Sequence, residues 1–164
     1  MRVDAFCPYA MGSYRVRRYR PTDAAAVWDV HVRDLSEVLP LFSHDWATDL
    51  HDVEREYLPR GDFLVVDAGG DVVATRAFLP EDEATVSVCR VRIDPEWRES
   101  AVGRDLFAAL ERLARLRGFE RAILDTTEHL TETNRVVEAM DYDLVGRDSL
   151  PEWDVDVLYY QKTL

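Results

Sequence analysis

The sequence predicts an α+β domain built on a mixed, mostly antiparallel sheet that contains one parallel strand pair. Three observations lead to this fold class. Residues 62–93 repeat a strand and turn pattern, an amphipathic helix pattern follows, and a further strand pattern follows the helix. A strand, helix and strand in direct succession form a crossover with parallel strands, whereas the preceding hairpins are antiparallel.

The early part of the chain alternates between the two kinds of pattern. Tyr14 to Arg20 reads as a strand, and helical spacing of apolar residues then recurs over 24–31 and again over 46–57. We therefore predict two helices in this part. Residues 1–12 show no period, so we expect a tail there and a single domain over 13–164.

The centre of the chain predicts an antiparallel meander. The run Phe63-Leu64-Val65-Val66 ends at the turn Ala68-Gly69-Gly70-Asp71, and two more strands are expected over 72–79 and 84–93. Apolar residues from Leu106 to Ala114 then follow helical spacing up to a glycine cap at Gly118.

Three further elements complete the predicted fold. Ala122 to Thr126 is a strand pattern, and Thr131 is placed to cap a short helix. Segments around Leu144 and over 155–161 are expected to form the last two strands. The parallel pair must therefore lie around the crossover helix, because the terminal strands return as a hairpin.

The charge balance excludes some classes of function. The chain of 164 residues has a net charge of −12, and Lys162 is the only lysine among its 20 basic residues. Nucleic-acid binding requires a basic face, so we expect no such partner. An acidic, lysine-poor surface suits concentrated salt, where charge repulsion is screened, so we hypothesise a halophilic source. The sequence has no apolar run that could span a bilayer, and we expect a cytoplasmic protein without a membrane partner.

Neither cysteines nor histidines indicate a metal site. The two cysteines, Cys7 and Cys89, are too isolated for a disulfide framework or a metal site, and a buried, inert thiol is the expected role of Cys89. His44 and His51 flank two aspartates, but their seven-residue separation differs from the spacing of helical zinc ligands. We expect no metal cofactor.

The segment from Arg98 to Arg104 is the strongest candidate for a binding site. It precedes the long helix, whose first N–H groups have no partner within the helix and carry a partial positive charge. Such an end binds anions, and Ala101 and Gly103 have little side chain to obstruct a diphosphate. A plain helix cap with solvated arginines at Arg98 and Arg104 is the alternative interpretation.

The sequence around this segment resembles motif A of the GNAT acetyltransferases. Val91 to Leu106 matches the motif, whose loop reads Gln or Arg, two residues, Gly or Ala, one residue, and Gly or Ala. Ile93 and Pro95 fall on the family's strand-end valine and proline. The order of elements from Tyr14 to Leu164 is also similar to that of the whole family fold.

The resemblance implies an acetyl-CoA-dependent N-acetyltransferase that acts on an amine of a small molecule or a protein N-terminus. The amine would attack the thioester directly, without a covalent enzyme intermediate. The backbone at Ile93 would pair with the pantetheine arm and could polarise the acetyl carbonyl. The pyrophosphate would be held by the loop residues, which are Arg98, Ser100, Ala101, Val102, Gly103 and Arg104.

The sequence departs from the family at the residues that usually catalyse the reaction. Ser87 occupies the position of the glutamate base, and Val137 that of the tyrosine acid, with Leu130 in place of a common cofactor-contacting asparagine. Glu83 or Glu128 could relay a proton instead, although surface charges are the commoner role. Tyr142, Tyr159 or Tyr160 could supply the missing acid.

The acceptor and the alternatives remain open at this point. Arg90 and Arg92 are predicted to lie on one strand face and could meet a substrate carboxylate. The two early helices would also contribute side chains to the acceptor pocket, which are Trp28, His31, Trp46 and Tyr57. A non-catalytic acetyl-CoA sensor or interaction module is the main alternative function, since the usual acid and base are missing. Another phosphate-binding enzyme is a weaker one, because the loop lacks a Walker lysine. A homodimer is left open.

Overall fold

The computed structural model describes residues 9–11, 13–38 and 43–164. In these ranges the chain forms one eight-stranded sheet with helices packed on both faces. The strands are β1 (Tyr9–Met11), β2 (Tyr14–Arg18), β3 (Asp62–Ala68), β4 (Asp71–Pro80), β5 (Thr85–Ile93), β6 (Arg121–Thr127), β7 (Asp143–Leu150) and β8 (Val155–Thr163). Their order in the sheet is β1-β2-β3-β4-β5-β6-β8-β7.

In the described part of the chain, four α-helices and five 3-10 turns connect these strands. The helices are α1 (Ala24–Val38), α2 (Val53–Glu56), α3 (Val102–Leu116) and α4 (Thr131–Ala139). The 3-10 turns are Pro21–Asp23, His44–Trp46, Thr48–His51, Pro95–Trp97 and Pro151–Trp153. No helix in the described ranges is both long and apolar enough to cross a membrane.

The predicted fold class is confirmed. All neighbouring strands are antiparallel except β5 and β6, which are parallel and are connected by α3. The crossover helix α3 packs on one face of the sheet, as a connection between parallel strands commonly does. The mixed sheet and its single parallel pair therefore follow from the order of elements that the sequence predicts.

Alternating side chains of β3 divide the apolar residues between two clusters. Leu64 and Val66 pack with Leu106 and Leu110 of α3, whereas the alternate residues of β3 pack on the other face, against α1 and the segment that follows it. Strand side chains point to opposite faces in turn, so a strand buried on both faces reads as a continuous apolar run. Burial on both faces therefore explains the uninterrupted apolar run Phe63-Leu64-Val65-Val66 in β3.

Part of the segment expected to be a tail is a strand. Tyr9–Met11 pairs with β2 in antiparallel register, with Met11 opposite Tyr14. Three residues are too few to show a hydrophobic period, so this strand could not be recognised in the sequence. Residues 1–8 and 12 lie outside the described residues.

The predicted helix over 46–57 is confirmed only near its end, as α2. The segment forms two 3-10 turns and the single-turn helix α2, because Ala47 and Asp52 have non-helical backbone angles. The Asp52 carboxylate accepts a hydrogen bond from the N–H of Arg55 and so caps α2 at its start. Trp46, placed by helical spacing on the buried face, is 55% exposed.

A tight contact fixes the start of β3 against β4. A Cβ atom added to Gly61 would lie 1.9 Å from the backbone oxygen of Phe78. The N–H of Gly61 donates to the carbonyl of Tyr57, and its own carbonyl accepts from Arg117 at 2.8 Å. Arg117 also forms an ion pair with the buried carboxylate of Asp62. The chain can therefore approach β4 this closely only with glycine at position 61.

We expect Gly61→Ala to lower the free energy of unfolding by about 2–3 kcal/mol, because the added methyl group meets rigid backbone and not a movable side chain. Urea unfolding followed by circular dichroism measures this. Gly69→Ala is the matched control: its Cβ has nothing within 4 Å and its φ of +68° costs only about 1 kcal/mol. Equal losses for the two variants would contradict the packing argument.

Candidate functional site

A cleft opens where the parallel strands part. β5 and β6 pair over only four positions, from Thr85 opposite Arg121 to Val88 opposite Leu124. Both strands continue beyond these pairs, β5 to Ile93 and β6 to Thr127. The space between them is a cleft of about 730 Å³, bounded by residues of α1, α2, β4, β5, β6 and the start of α4.

A β-bulge in β5 coincides with this parting. Cys89 lies opposite Ala77 and Arg92 opposite Thr75, so two residues of β5, Arg90 and Val91, face one residue of β4. Arg90 has a φ of 53°, in the left-handed region that non-glycine residues rarely adopt. The extra residue reverses the alternation of side chains, so Cys89 and Val91 pack on opposite faces of the sheet.

An ion pair holds the bulged residue. The guanidinium of Arg90 binds the carboxylate of Asp49, with Nε 2.8 Å from Oδ2, and the hydroxyl of Tyr57 donates to the same carboxylate. Burial would raise the pKa of Asp49, but these hydrogen bonds hold it below its usual value. Burial raises the pKa of Tyr57 far above the usual range for tyrosine, so the phenol stays protonated.

Cys89 also lies in the cleft, and it is not an activated nucleophile. Burial raises the pKa of its thiol to about 11, although Tyr57 and Arg90 act in the opposite direction. Cysteine attacks as the thiolate, which such a pKa makes scarce near neutrality. This agrees with the inert thiol predicted from the sequence.

Arg92 points to the same side of the sheet as Arg90, as predicted, but it too has partners. Its Nε donates to Nδ1 of His31 at 3.2 Å, and Nη1 donates to the Val91 carbonyl at 2.6 Å. Burial lowers the pKa of Arg92 to about 10, while the charge of Asp34 acts against this shift. Both arginines proposed to meet a substrate carboxylate are therefore engaged within the protein.

The predicted binding loop lies at the end of β5, where α3 begins. Ala101 is the residue before the helix, and the first bond of the helix runs from the N–H of Asp105 to its carbonyl. Ser100 accepts a hydrogen bond from the N–H of Val102. The N–H groups of Ala101, Gly103 and Arg104 donate to no group in the described residues. This set of free donors has the form of an anion site.

Two loop residues differ in role from the sequence interpretation. Arg98 is not solvated: it pairs with Asp34 and Glu37 of α1, at 3.1 and 2.7 Å. The missing side chain of Gly103 serves packing inside the protein, since a Cβ there would lie 3.0 Å from Ile93 and 3.1 Å from Val136. Gly103 thus brings α3 against β5 and α4, while its backbone N–H remains free.

Three polar atoms at the far side of the cleft escaped the sequence analysis. The side-chain oxygens of Thr126, Thr127 and Asn134 are buried and have no hydrogen-bond partner among the described residues. The amide nitrogen of Asn134 donates to the Thr127 carbonyl at 2.9 Å, which fixes the side chain. Unpaired buried polar atoms cost stability and point to a polar ligand. Asn134 lies one helical turn after Leu130, where the resemblance places an asparagine.

These features fit the parts of acetyl-CoA. Free N–H groups at the start of α3 suit its diphosphate, and the unpaired oxygens beside β6 suit the amides of its pantetheine arm. Ile93 lies between them on β5, buried, and its backbone N–H stabilises the charged form of Asp34. The cofactor-binding roles of Ile93 and the loop residues remain predictions.

The candidates for acid and base are spread over the molecule. Ser87 lines the cleft, but Glu83 and Glu128 do not. Glu128 instead accepts a hydrogen bond from the backbone of β8. Tyr142 contacts the buried guanidinium of Arg76, on the α3 face.

Two further tyrosines were candidates for the acid. The hydroxyl of Tyr160 donates to Glu138, and Tyr159 is 37% exposed. Neither residue lines the cleft, whereas Tyr57 does.

The residues expected to build the acceptor pocket have different roles. Tyr57 lines the cleft, whereas His31 is buried beneath it against Arg92. Trp28 stacks on His51, with ring centroids 4.8 Å apart. Trp46 contacts the ring of Trp153 at the surface.

No cluster with the arrangement of a metal site occurs within the described ranges. Of the histidines considered for one, His51 stacks on Trp28, and the side chain of His44 lies outside the described part.

Comparison with known proteins assigns the chain to a family. The model of the acetyltransferase (GNAT) family matches residues 22–142. An acetyltransferase from Streptococcus agalactiae 2603 is 24% identical, with a TM-score of 0.81, over 94% of this chain and all of that one. A GNAT acetyltransferase from Staphylococcus aureus Mu50 has 16% identity and a TM-score of 0.82, over 92% of this chain and 99% of its own.

A third similar structure contains a ligand. It is yncA from Salmonella typhimurium with its cofactor acetyl-CoA, at 17% identity and a TM-score of 0.76, over 93% of this chain and 95% of that one. The search of curated proteins gave no match. The matched region includes the parting strands, the loop and α3, and the chain belongs to the GNAT family of acetyltransferases.

Proposed function

We propose that the protein transfers the acetyl group of acetyl-CoA to an amine of a small molecule or a protein N-terminus by direct attack. One observation carries this proposal: a cleft between parallel strands has free N–H donors beside one end and unpaired polar oxygens along one wall. Family membership supports acyl transfer, and amines are the acceptors of the family.

The chain's own groups would hold the two substrates in place. The N–H groups of Ala101, Gly103 and Arg104 bind the diphosphate, aided by the dipole of the 15-residue helix α3. The side chains of Thr126 and Asn134 fix the pantetheine amides. Acetyl-CoA supplies an activated thioester. In the described residues β5 does not pair with β6 beyond Val88, and this free part of β5 would direct the thioester into the cleft.

Tyr57 is our candidate for the proton donor. Tyr57 lines the cleft, and its phenol is protonated at neutral pH. Its hydroxyl donates to Asp49, and it would turn from that carboxylate to the departing sulfur. A protonated phenol can donate to a departing thiolate but cannot act as a base. Ser87 lies in the glutamate position, so positioning of the amine supplies much of the rate acceleration in this proposal.

We expect Arg104→Glu to weaken acetyl-CoA binding by about ten- to a hundredfold, because it places a negative charge beside the diphosphate donors. A glutamate in the first turn of α3 favours the helix dipole, so the variant should fold at least as well as the parent. Calorimetric titration with acetyl-CoA, in dilute and in molar salt, measures the change.

Arg112→Glu provides the matched control for this variant. Arg112 is exposed on the same helix, roughly 12 Å from Arg104 along the axis. Its replacement by glutamate changes the net charge by the same amount. We expect less than a threefold change in the dissociation constant. Equal weakening by the two variants would reveal a general charge effect and contradict the assignment of the loop as the diphosphate site. If acetyl-CoA does not bind the parent protein, the proposed function is refuted. A protein that binds acetyl-CoA but releases no CoA thiol with any amine would be a sensor.

We expect Cys89 to form no acetyl intermediate. A pKa of about 11, against 9.0 for a free thiol, makes its thiolate roughly a hundredfold scarcer at pH 8. Iodoacetamide labelling of a Cys7→Ser variant, read by mass spectrometry, should therefore be slow at pH 8 and quicken about tenfold per pH unit towards pH 10. Rapid labelling at pH 7, or acetylated Cys89 after incubation with acetyl-CoA, would refute direct attack.

A further inference from the structure

One end of the cleft carries charges that the proposed acetyl-CoA site does not use. Arg60, Glu81 and Ser87 all line the cleft. Asp62 lies opposite Phe78, so two further residues of the antiparallel register bring Arg60 level with Pro80, next to Glu81, at one end of the sheet. Leu79 lies opposite Ser87 on the neighbouring strand. A cation, a carboxylate and a hydroxyl therefore meet at this end of the cleft.

Arg60 differs from the other arginines of the cleft in having no internal partner. Arg90 is paired with Asp49, and Arg92 donates to His31 and to the Val91 carbonyl. Within the ranges that the structure describes, Arg60 forms neither an ion pair nor a hydrogen bond, and it is exposed. It is thus the cleft cation that remains able to bind an anion from solution.

The backbone beside Arg60 is held rigidly. Gly61 touches the Phe78 carbonyl, and its own N–H and carbonyl are both hydrogen bonded, to Tyr57 and to Arg117. The position of Arg60 at the cleft is therefore fixed by the fold, and only its side chain must be ordered by a ligand. A fixed attachment point lowers the entropic cost of binding.

Distance separates this arginine from the diphosphate site. Arg60 lies near Val86 and Ser87 in the sheet, and six or more residues of β5 lie between that level and the loop that follows Ile93. At about 3.3 Å per residue this is roughly 20 Å. An anion bound by Arg60 is therefore not the diphosphate that the start of α3 is proposed to hold.

The surrounding charges favour a single negative charge on that ligand. Four carboxylates line the cleft, but Asp49 is paired with Arg90 and Glu56 with Arg55. Arg60 therefore shares the cleft with Glu81 and Asp125, which form no ion pair among the described residues. A phosphate with two negative charges would meet this repulsion with one cation to offset it, whereas a carboxylate matches Arg60 one to one and forms bidentate hydrogen bonds. Glu81 and its neighbours can accept hydrogen bonds from an ammonium group on the same molecule.

We propose that the acceptor is a small amino acid-like molecule, whose carboxylate binds Arg60 while its amine lies between Glu81 and Ser87, facing the thioester. This inference rests on the proposed function and names its substrate class. The N–C bond forms as the amine attacks the acetyl carbon and the C–S bond breaks. The ammonium group first gives one proton to solvent, the resulting neutral amine attacks, a second proton passes to the CoA thiolate, and the amide nitrogen keeps the third.

The experiment compares matched acceptors and measures release of the CoA thiol. The probes are the twenty amino acids, β-alanine and γ-aminobutyrate, each with its carboxamide and its decarboxylated amine. We expect turnover with at least one carboxylate and at least a tenfold lower kcat/KM for the matching carboxamide. Arg60→Gln should raise the KM of the carboxylate about ten- to a hundredfold, leave the carboxamide unchanged and leave acetyl-CoA binding unchanged.

Two further variants separate recognition from general charge effects. Arg60→Lys keeps the cation but loses the bidentate contact, so it should recover part of the loss. Arg112→Gln removes an exposed arginine of α3 that does not line the cleft, and we expect it to behave as the parent protein. Calorimetry of the accepted amino acid with the CoA complex gives the same comparison without turnover.

The outcomes for this proposal differ from those for the function as a whole. Three results would overturn the acceptor assignment alone. The first is equally good use of amines without a carboxylate, and the second is acetyl-CoA binding without turnover of any carboxylate probe. The third is an equal effect of Arg60→Gln on both acceptor types. Failure of acetyl-CoA to bind would instead remove the proposed function on which it rests.

Discussion

The contact between Arg90 and Asp49 is the interaction on which the architecture of the cleft depends. It holds a residue of β5 in a left-handed backbone conformation, which costs about 1–2 kcal/mol without support. The bulge turns the end of β5 away from β6, and without it the two strands could continue to pair and leave no space for a ligand. Tyr57 joins the same carboxylate and so connects α2 to this arrangement.

The larger elements could be predicted from the sequence because their signals are local. Apolar runs and turns defined β3 and β4, and the helical period defined α3 up to Gly118, whose φ is +90°. The bulge could not be predicted, because Arg90 is held by a residue 41 positions away. The segment over 46–57 failed for a related reason: its helical spacing of apolar residues is overridden by a cap at Asp52 and by the use of Asp49 in tertiary contacts.

The same distinction applies to the site. The loop before α3 was predictable, since a helix N-terminus after a strand is visible in the sequence and its N–H groups need no side chain. Thr126, Thr127 and Asn134 were not, because a missing hydrogen-bond partner is a property of the folded protein. Arg60 escaped notice because only the partners of Arg90 and Arg92 make it distinctive.

Asp34 connects the two ends of the cleft through α1. Its carboxylate pairs with Arg98 in the loop, and its charge also stabilises Arg92, beneath the acceptor side. Burial raises the pKa of Asp34 even though both arginines act against that shift. Any movement of α1 that widened the acceptor side would have to pull Asp34 and Glu37 from Arg98. These two ion pairs couple loop and helix, so a ligand that ordered the loop would also restrain the wall that α1 forms at the cleft.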